Sequence, residues 1–355
     1  MAKTVYVGMS GGVDSSVSAL LLQKQGYRVV GVYMKNWSED LPGMKCPWAE
    51  DLADAKRVAV KLGIDFEVWD FEKEYREKVV EYMLSEFRAG NTPNPDIMCN
   101  QEIKFKLFYE KAMEAGADYI ATGHYARVNT DTSSKSHSTT LMRAIDENKD
   151  QTYFLYRISQ EALEHTLFPI GEMAKPEVKK LAEKHGLHNA YKKESMGVCF
   201  VGEVGMKDFL KEYIEIQPGE IREMESERVL GYHEGAVFYT IGQRHGLYLN
   251  GEKGKINDGM PYYVVKKDTK NNIVYVSKNL NSDQLWTKQL KLKDIFLRSQ
   301  IPKQIQVRLR HRAPLIPATF DGETLKFEHE IKRPAGGQSA VIYSGEFCLG
   351  GGIIV

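Results

Sequence analysis

From Thr4 to Gly26 the chain reads TVYVGMSGGVDSSVSALLLQKQG. A short apolar strand passes through glycines and serines straight into an apolar-periodic helix that Gly26 stops. This unit constrains the fold more than any other feature, because strand, tight turn and helix in that order open a parallel sheet. The pattern then repeats. RVVGVYM and DFEVWDF read as strands, and AEDLADAKRVAVKLG and KEYREKVVEYMLSEFRAG as helices ended by Gly63 and Gly90. KFKLFYEKAMEAG reads as a helix ended by Gly116, followed by DYIATGHYARV as a strand with its loop. Alternation to about residue 127 predicts a parallel sheet covered by helices on both faces. Ligands of such sheets sit beyond the carboxyl ends of the strands, which directs attention to the loops GMSGGVDS, MKNW and ATGHYAR.

The later chain changes character. NTDTSSKSHSTT (Asn129 to Thr140) is polar and reads as a surface loop or hairpin tip, and ISQEALEHTLFPIGEMAKPEVKKLAEKHGL is helical with a break near Pro169 to Gly171. After about residue 200 short β-type runs and glycine turns dominate. PYYVVKKDTKNNIVYVS predicts a hairpin around Asn271-Asn272. QIQVRLRHRAP, IPATFDG, TLKFEHEI and QSAVIYSGEFCLGGGIIV suggest a small barrel or sandwich. A length of 355 residues suits two or three domains.

Forty-eight basic residues balance forty-eight acidic ones. That argues against a general nucleic-acid coat and leaves room for a local basic face. One candidate face runs from Lys288 to Arg312, where Lys288, Lys291, Lys293, Arg298, Lys303, Arg308, Arg310 and Arg312 face only Asp294. Alternation in VRLRHRAP puts Arg308, Arg310 and Arg312 on one strand face, as a ridge for a phosphate backbone or as a solvated edge. No apolar run approaches membrane-spanning length, and the start lacks signal- or transit-peptide character, which predicts a cytoplasmic protein.

SGGVDSS is suited to an anion: glycines admit its close approach, and helix amides and serine hydroxyls donate to it. It lacks the lysine of GxxxxGK[ST] and does not fit GxGxxG. An aspartate beside polyphosphate is repulsive unless a metal lies between, so Asp14 implies Mg²⁺. A cradle for the pyrophosphate end of ATP suits a reaction that transfers AMP. SGGVDSS is similar to the PP-loop signature of the N-type ATP pyrophosphatases.

Cys46, Cys99, Cys199 and Cys348 show no CxxC spacing. In a reducing compartment such cysteines are packed or catalytic, and the spacing of the first three neither supports nor excludes an iron–sulfur cluster. In NTPNPDIMCNQEIKF, two prolines with Asn94 and Asp96 fix a loop, and Cys99 precedes a helix expected after Asn100. A helix N-terminus favours the thiolate. In KKESMGVCFVG, Lys192 and Lys193 could favour a thiolate or persulfide at Cys199.

The segments GMSGGVDSSV, GVYMKNW, CPWAEDLADAKRVAVKLGI, NPDIMCNQEIKF, ATGHYAR, KDQTYFLYRIS, ESMGVCFVG, FYTIGQRHGL, VRLRHRAP and GGQSAV occur in this order from near Tyr6 to near Val341. Together they resemble the tRNA-specific 2-thiouridylases over nearly the whole chain. The resemblance implies an α/β fold. A Rossmann-like, parallel-sheet PP-loop domain of the adenine nucleotide α-hydrolase type would span 1–203, a small β-rich central domain 204–282, and a C-terminal β-barrel that binds tRNA 283–355.

The resemblance also implies ATP-dependent 2-thiolation of the wobble uridine, position 34, of tRNAs of the Lys, Glu and Gln type. Adenylation of the C2 oxygen would release pyrophosphate, and persulfide sulfur on Cys199 would then displace AMP. Cys99 would act as nucleophile, with a transient Cys99–Cys199 disulfide, and Asp96 as general acid/base. Gly8, Met9, Ser10, Gly11, Gly12, Val13, Asp14, Ser15, Met34 and Gly123 would contact ATP. Asn94, Pro95 and Asp96 would meet the target base. His124, Lys149, Asp150, Gln151, Arg310, His311 and Gln338 would contact tRNA. Tyr125, Phe154 and Tyr156 are candidates for lining the base pocket. Implied partners are tRNA and a cysteine desulfurase or sulfur-relay protein. Implied cofactors are ATP and Mg²⁺, with a persulfide sulfur donor and no permanent cofactor. Two rival readings are a PP-loop ligase with a small-molecule acceptor, which needs an ammonia source and no cysteine pair, and a non-catalytic RNA-binding protein on a relict nucleotide fold.

Overall fold

Apolar runs too short to be helices and flanked by glycines form five parallel strands in the computed structural model. They are β1 (Thr4–Gly8), β2 (Arg28–Lys35), β3 (Asp65–Asp70), β4 (Tyr119–Ala121) and β7 (Thr166–Leu167), in the order β3-β2-β1-β4-β7. The structure describes residues 2–40, 46–131, 138–193, 205–249, 252–253, 260–279, 281 and 284–355. Helices cover both faces, and an apolar cluster lies on each side of the sheet. The chain leaves β1 toward β2 and β3, then returns to β4 on β1's other side. The carboxyl ends of β1 and β4 therefore form the switch point where such sheets bind ligands.

The glycine stops hold: Gly26, Gly63, Gly90 and Gly116 all have positive φ. The helix expected after Asn100 begins earlier. It is continuous over 95–114, with Pro95 in its first turn, a wide π-type stretch at Cys99–Leu107 and a kink at Phe105. Proline is pre-set for a first helical turn, and Asn94 enters it in an extended conformation.

The polar 129–140 segment belongs to a hairpin of β5 (Ala126–Asp131) and β6 (Ser138–Arg143), whose tip at 132–137 lies outside the described residues. The central sheet comprises β8 (Gly219–Glu223), β9 (Val229–His233), β10 (Tyr248–Leu249), β11 (Glu252–Lys253), β12 (Tyr263–Asp268) and β13 (Ile273–Ser277), in the order β11-β10-β9-β8-β13-β12. The hairpin expected around Asn271-Asn272 joins β12 to β13, with Asn272 at φ 55°.

Strands β14 (Trp286–Leu297), β15 (Ile305–Arg308), β16 (Ile316–Phe320), β17 (Thr324–Lys332), β18 (Ser339–Ser344) and β19 (Phe347–Ile354) close into an antiparallel barrel, since β14 pairs with both β17 and β19. The barrel does not stand apart. β6 adds to β19, with Phe347 opposite Met142 and Cys348 opposite Leu141. Val341, Tyr343 and Cys348 share one buried cluster with Leu141, Tyr153, Leu155 and Tyr156.

Candidate active site

The loop after β1 is held by its own serines. Ser10 N–H donates to Ser15 Oγ at 3.2 Å, Gly12 N–H to Ser10 Oγ at 3.4 Å, and Ser16 Oγ to Gly12 O at 2.9 Å. Gly11 has φ 74°, and a Cβ there would lie 2.4 Å from Asp51 O. Only glycine satisfies both demands. The helix Val13–Lys24 follows at once, so its first-turn amides, which have no partner inside the helix, face the loop. Met9 and Val13 are buried, which leaves their backbones to line a nucleotide site. Gly8 sits against Met34, whose methyl would be 2.9 Å from a Cβ at Gly8. Gly123, after β4, presses on the start of the helix, where a Cβ would be 2.6 Å from Ser15 N. All ten residues expected at ATP lie at the end of β1, on the loop and first helical turn after it, or at the neighbouring ends of β2 and β4.

Two residues of this site escaped the sequence reading. Asn189 is buried and donates from Nδ2 to Gly11 O and Ser16 Oγ, both at 2.9 Å, bracing the loop from outside. Lys175, in the first turn of the helix Lys175–Lys184, places Nζ 2.7 Å from both carboxylate oxygens of Asp14. Tyr125 donates its hydroxyl to Asp14 Oδ1 at 3.0 Å. Each contact spans more than a hundred residues, and no local motif announces it.

The arrangement bears on the expected Mg²⁺. Both Asp14 oxygens bond the Lys175 ammonium, so Asp14 would reach a metal ion only by giving up that ion pair.

The 95–114 helix is seated on the same strand ends. Phe108 lies 3.8 Å from the place a Cβ would take at Gly8, and Phe105 packs on His124 with ring centroids 5.8 Å apart. At its start are Asn94, Pro95, Asp96 and Cys99. Asp96 and Cys99 are three residues apart and share a helix face. Burial raises the Asp96 carboxyl above its ordinary value, with Lys104 opposing. Asn94 Oδ1 and Asn100 Oδ1 are buried acceptors with no hydrogen-bond donor, an arrangement suited to a polar ligand. Cys99 is 4% exposed. It lies a full turn inside the helix, so the helix-terminus argument for its thiolate does not apply. Cys199, and with it the expected Cys99–Cys199 pairing, lies outside the described residues. Lys192 is held by Asp51 at 2.7 Å and Asp54 at 2.6 Å and anchors its segment to the helix Trp48–Leu62. Cys46 and Cys348 are buried, and burial raises both thiols, Cys348 to about 12. Both serve as packing.

The expected tRNA contacts divide. Lys149, Asp150 and Gln151 come together with Arg310 and His311: Arg312 donates from Nε to Asn148 O at 2.9 Å, and His311 packs on Phe154 with centroids 4.6 Å apart. Arg310 is exposed and Lys149 half-buried on this seam. Asp150 is not a surface contact. It is 1% exposed and accepts from Arg308 Nη1 at 2.7 Å and from Thr152 Oγ1 at 2.9 Å. The expected arginine ridge fails for the same reason. β15 ends at the buried Arg308, and Arg312 sits in a turn with φ 62°.

His124 also turns inward. It is 9% exposed, bonds Thr122 Oγ1 through Nδ1 at 2.7 Å, and packs between Phe105 and Phe168. Burial, reinforced by Lys104, holds it neutral. Gln151 accepts from Tyr125 N–H at 2.9 Å. Tyr125 and Tyr156 are buried in structural roles, bonding Asp14 and Ser339 Oγ, and only Phe154 of the three proposed aromatics is partly open. Gln338, on a barrel loop, donates to Thr92 O at 2.6 Å, and Thr92 N–H donates to Gly336 O at 2.8 Å. The barrel thus grips the segment that leads to Asp96 and Cys99.

Comparison with known proteins follows the same three-part layout. Residues 3–203 match the family described as tRNA methyl transferase HUP domain, 207–278 the tRNA methyl transferase PRC-barrel domain, and 282–354 the aminomethyltransferase beta-barrel domain. The chain is 46% identical to the tRNA-specific 2-thiouridylase MnmA of Lactococcus lactis subsp. lactis (strain IL1403), over 99% of this chain and 94% of that protein. It is 45% identical to the protein of the same name from Streptococcus sanguinis (strain SK36), with the same coverage of both.

Proposed function

The chain belongs to the tRNA-specific 2-thiouridylase family, and on that premise we propose that it is an ATP-dependent tRNA sulfurtransferase that converts the wobble uridine to 2-thiouridine. The observation that carries the reading is the convergence at the β1–β4 switch point. An anion-binding loop, the Gly123 turn and the helix bearing Asp96 and Cys99 meet there, and the barrel holds the approach to that helix through Gln338.

In this reading ATP lies over Gly8 to Ser15, between Met34 and Gly123, with its phosphates on the loop amides. The wobble base enters beside Asn94 and Pro95. Asp96, whose burial brings its carboxyl closer to neutrality, takes the N3 proton as the C2 oxygen attacks the α-phosphate. The bond from the α-phosphorus to the bridging oxygen breaks, and pyrophosphate leaves with the electron pair. The terminal sulfur of a Cys199 persulfide then adds to C2 and AMP departs. Cys99 thiolate attacks the Cys199 sulfur, the sulfur–sulfur bond breaks, and 2-thiouridine leaves as a Cys99–Cys199 disulfide forms. A dithiol reductant resets the pair, and a cysteine desulfurase or sulfur-relay protein reloads Cys199. Arg310, His311 and Lys149 lie on the seam that meets tRNA. The work is cytoplasmic, in keeping with the absence among the described residues of any helix long and apolar enough to cross a membrane.

The test is to incubate the protein with ATP, a persulfide donor and tRNA carrying an unmodified wobble uridine, then digest and look for 2-thiouridine by mass spectrometry. The wild type forms it, whereas Cys99→Ser and Cys199→Ala form none. Unmodified tRNA with the wild type, or product from Cys199→Ala, counts against the reading.

A further inference from the structure

The structure assigns to Lys175 the role of the phosphate-loop lysine that the loop itself lacks: we infer that its ammonium meets the pyrophosphate end of ATP, with Asp14 holding it in place beforehand. This rests on the reading above that the loop binds ATP, and it adds a residue to that site.

An aspartate in the first turn of an anion-binding helix is repulsive to a polyphosphate. Some positive charge must lie beside it, and the charge present is Lys175, 2.7 Å from each Asp14 oxygen. The lysine side chain is 8% exposed and the aspartate 29%, so the pair opens toward solvent on the carboxylate's side. Its delivery is built into the fold. Gly171 is pressed on β5 so closely that a Cβ would sit 1.8 Å from Ala126 O. Lys175 N–H donates to Asp146 Oδ2 at 3.0 Å, fixing the start of its helix. The ammonium lies 5.7 Å from the centre of the Tyr125 ring, whose hydroxyl shares Asp14.

A lysine is a compact point charge on a flexible stem and can change partner without leaving its place. When a pyrophosphate group arrives on the loop amides, its several charges outbid the Asp14 carboxylate for that ammonium. As the bond to the α-phosphorus breaks, charge builds on the departing bridging oxygen, where a fixed cation acts most strongly. A lysine that merely neutralised Asp14 would have no such effect.

The experiment is titration calorimetry of inorganic pyrophosphate into the whole protein in chelator-treated buffer, which needs neither tRNA nor a sulfur donor. The wild type binds. Asp14→Asn, which removes the repulsive carboxylate charge, binds as tightly or more tightly. Lys175→Met binds at least about tenfold more weakly, the loss of one charge-assisted contact. The double variant Asp14→Asn/Lys175→Met removes both charges of the Asp14–Lys175 pair and is equally weak. Wild-type affinity in the double variant overturns the inference, as does about tenfold weaker binding by Asp14→Asn alone. No binding by the wild type overturns the inference together with the ATP-site reading beneath it. Equal binding by wild type and Lys175→Met overturns the inference alone.

Discussion

His311 shows how far a residue's role depends on neighbours that the sequence does not reveal. In VRLRHRAP it sits among arginines and invites a phosphate. In the fold it stacks on Phe154 near Tyr153, and burial pushes its pKa down to about 4, with Arg312, Arg308 and Lys149 adding and Asp150 opposing. The ring is neutral at neutral pH and carries no charge to meet a phosphate. An unfolded histidine titrates near 6.5. Between there and about 4 the unfolded chain binds more protons than the folded one, so the stabilisation is whole above the window and lost as pH falls through it. His124 acts in the same direction. Thermal melts across this window will show a falling midpoint, and His311→Gln will flatten the fall. An unchanged slope would mean that the ring titrates normally.

Among the elements, alternation and glycine punctuation made the parallel sheet, its helices and the β12–β13 hairpin legible, because both patterns are local. The start of the 95–114 helix was legible too, through Pro95, had the first-turn preference of proline been given its weight. The end of β15 was not. Alternation continues through Arg312, but Arg308 is drawn inward by Asp150, 158 residues away. That pair joins the barrel to the 150–158 segment, where Arg298 also donates to the carbonyls of Tyr156 and Ile158 at 3.2 and 2.5 Å. Buried charges depend on their partners. Asp150→Ala strands Arg308 and will cost about 3–5 kcal/mol in urea denaturation. Asp150→Leu combined with Arg308→Met will recover most of that. A single-variant loss below about 1 kcal/mol would show the pair to be solvated rather than buried.

At the scale of the whole molecule, the nucleotide loop could be read from SGGVDSS, whereas its cation, its brace at Asn189 and the grip of Gln338 on Thr92 arise only when distant segments meet. The barrel shares a core with the sheet domain through Val341, Tyr343 and Cys348. A protein truncated after residue 282 would leave Leu141, Tyr153 and Tyr156 without their cover. It is expected to bind a hydrophobic dye and to aggregate during purification, and a monodisperse, cooperatively melting truncation would contradict this.

The pairing of β6 with β19 sets an order in time. β19 is made about two hundred residues after the hairpin it completes, and contacts so far apart in sequence form late. While a ribosome is still adding the barrel, the segment leading to Asp96 and Cys99 has no Gln338 to grip it and Asp150 has yet to meet Arg308. A nascent chain can therefore shape the loop after β1 early, yet the approach to Asp96 and Cys99 stays ungripped until the last barrel strands have emerged.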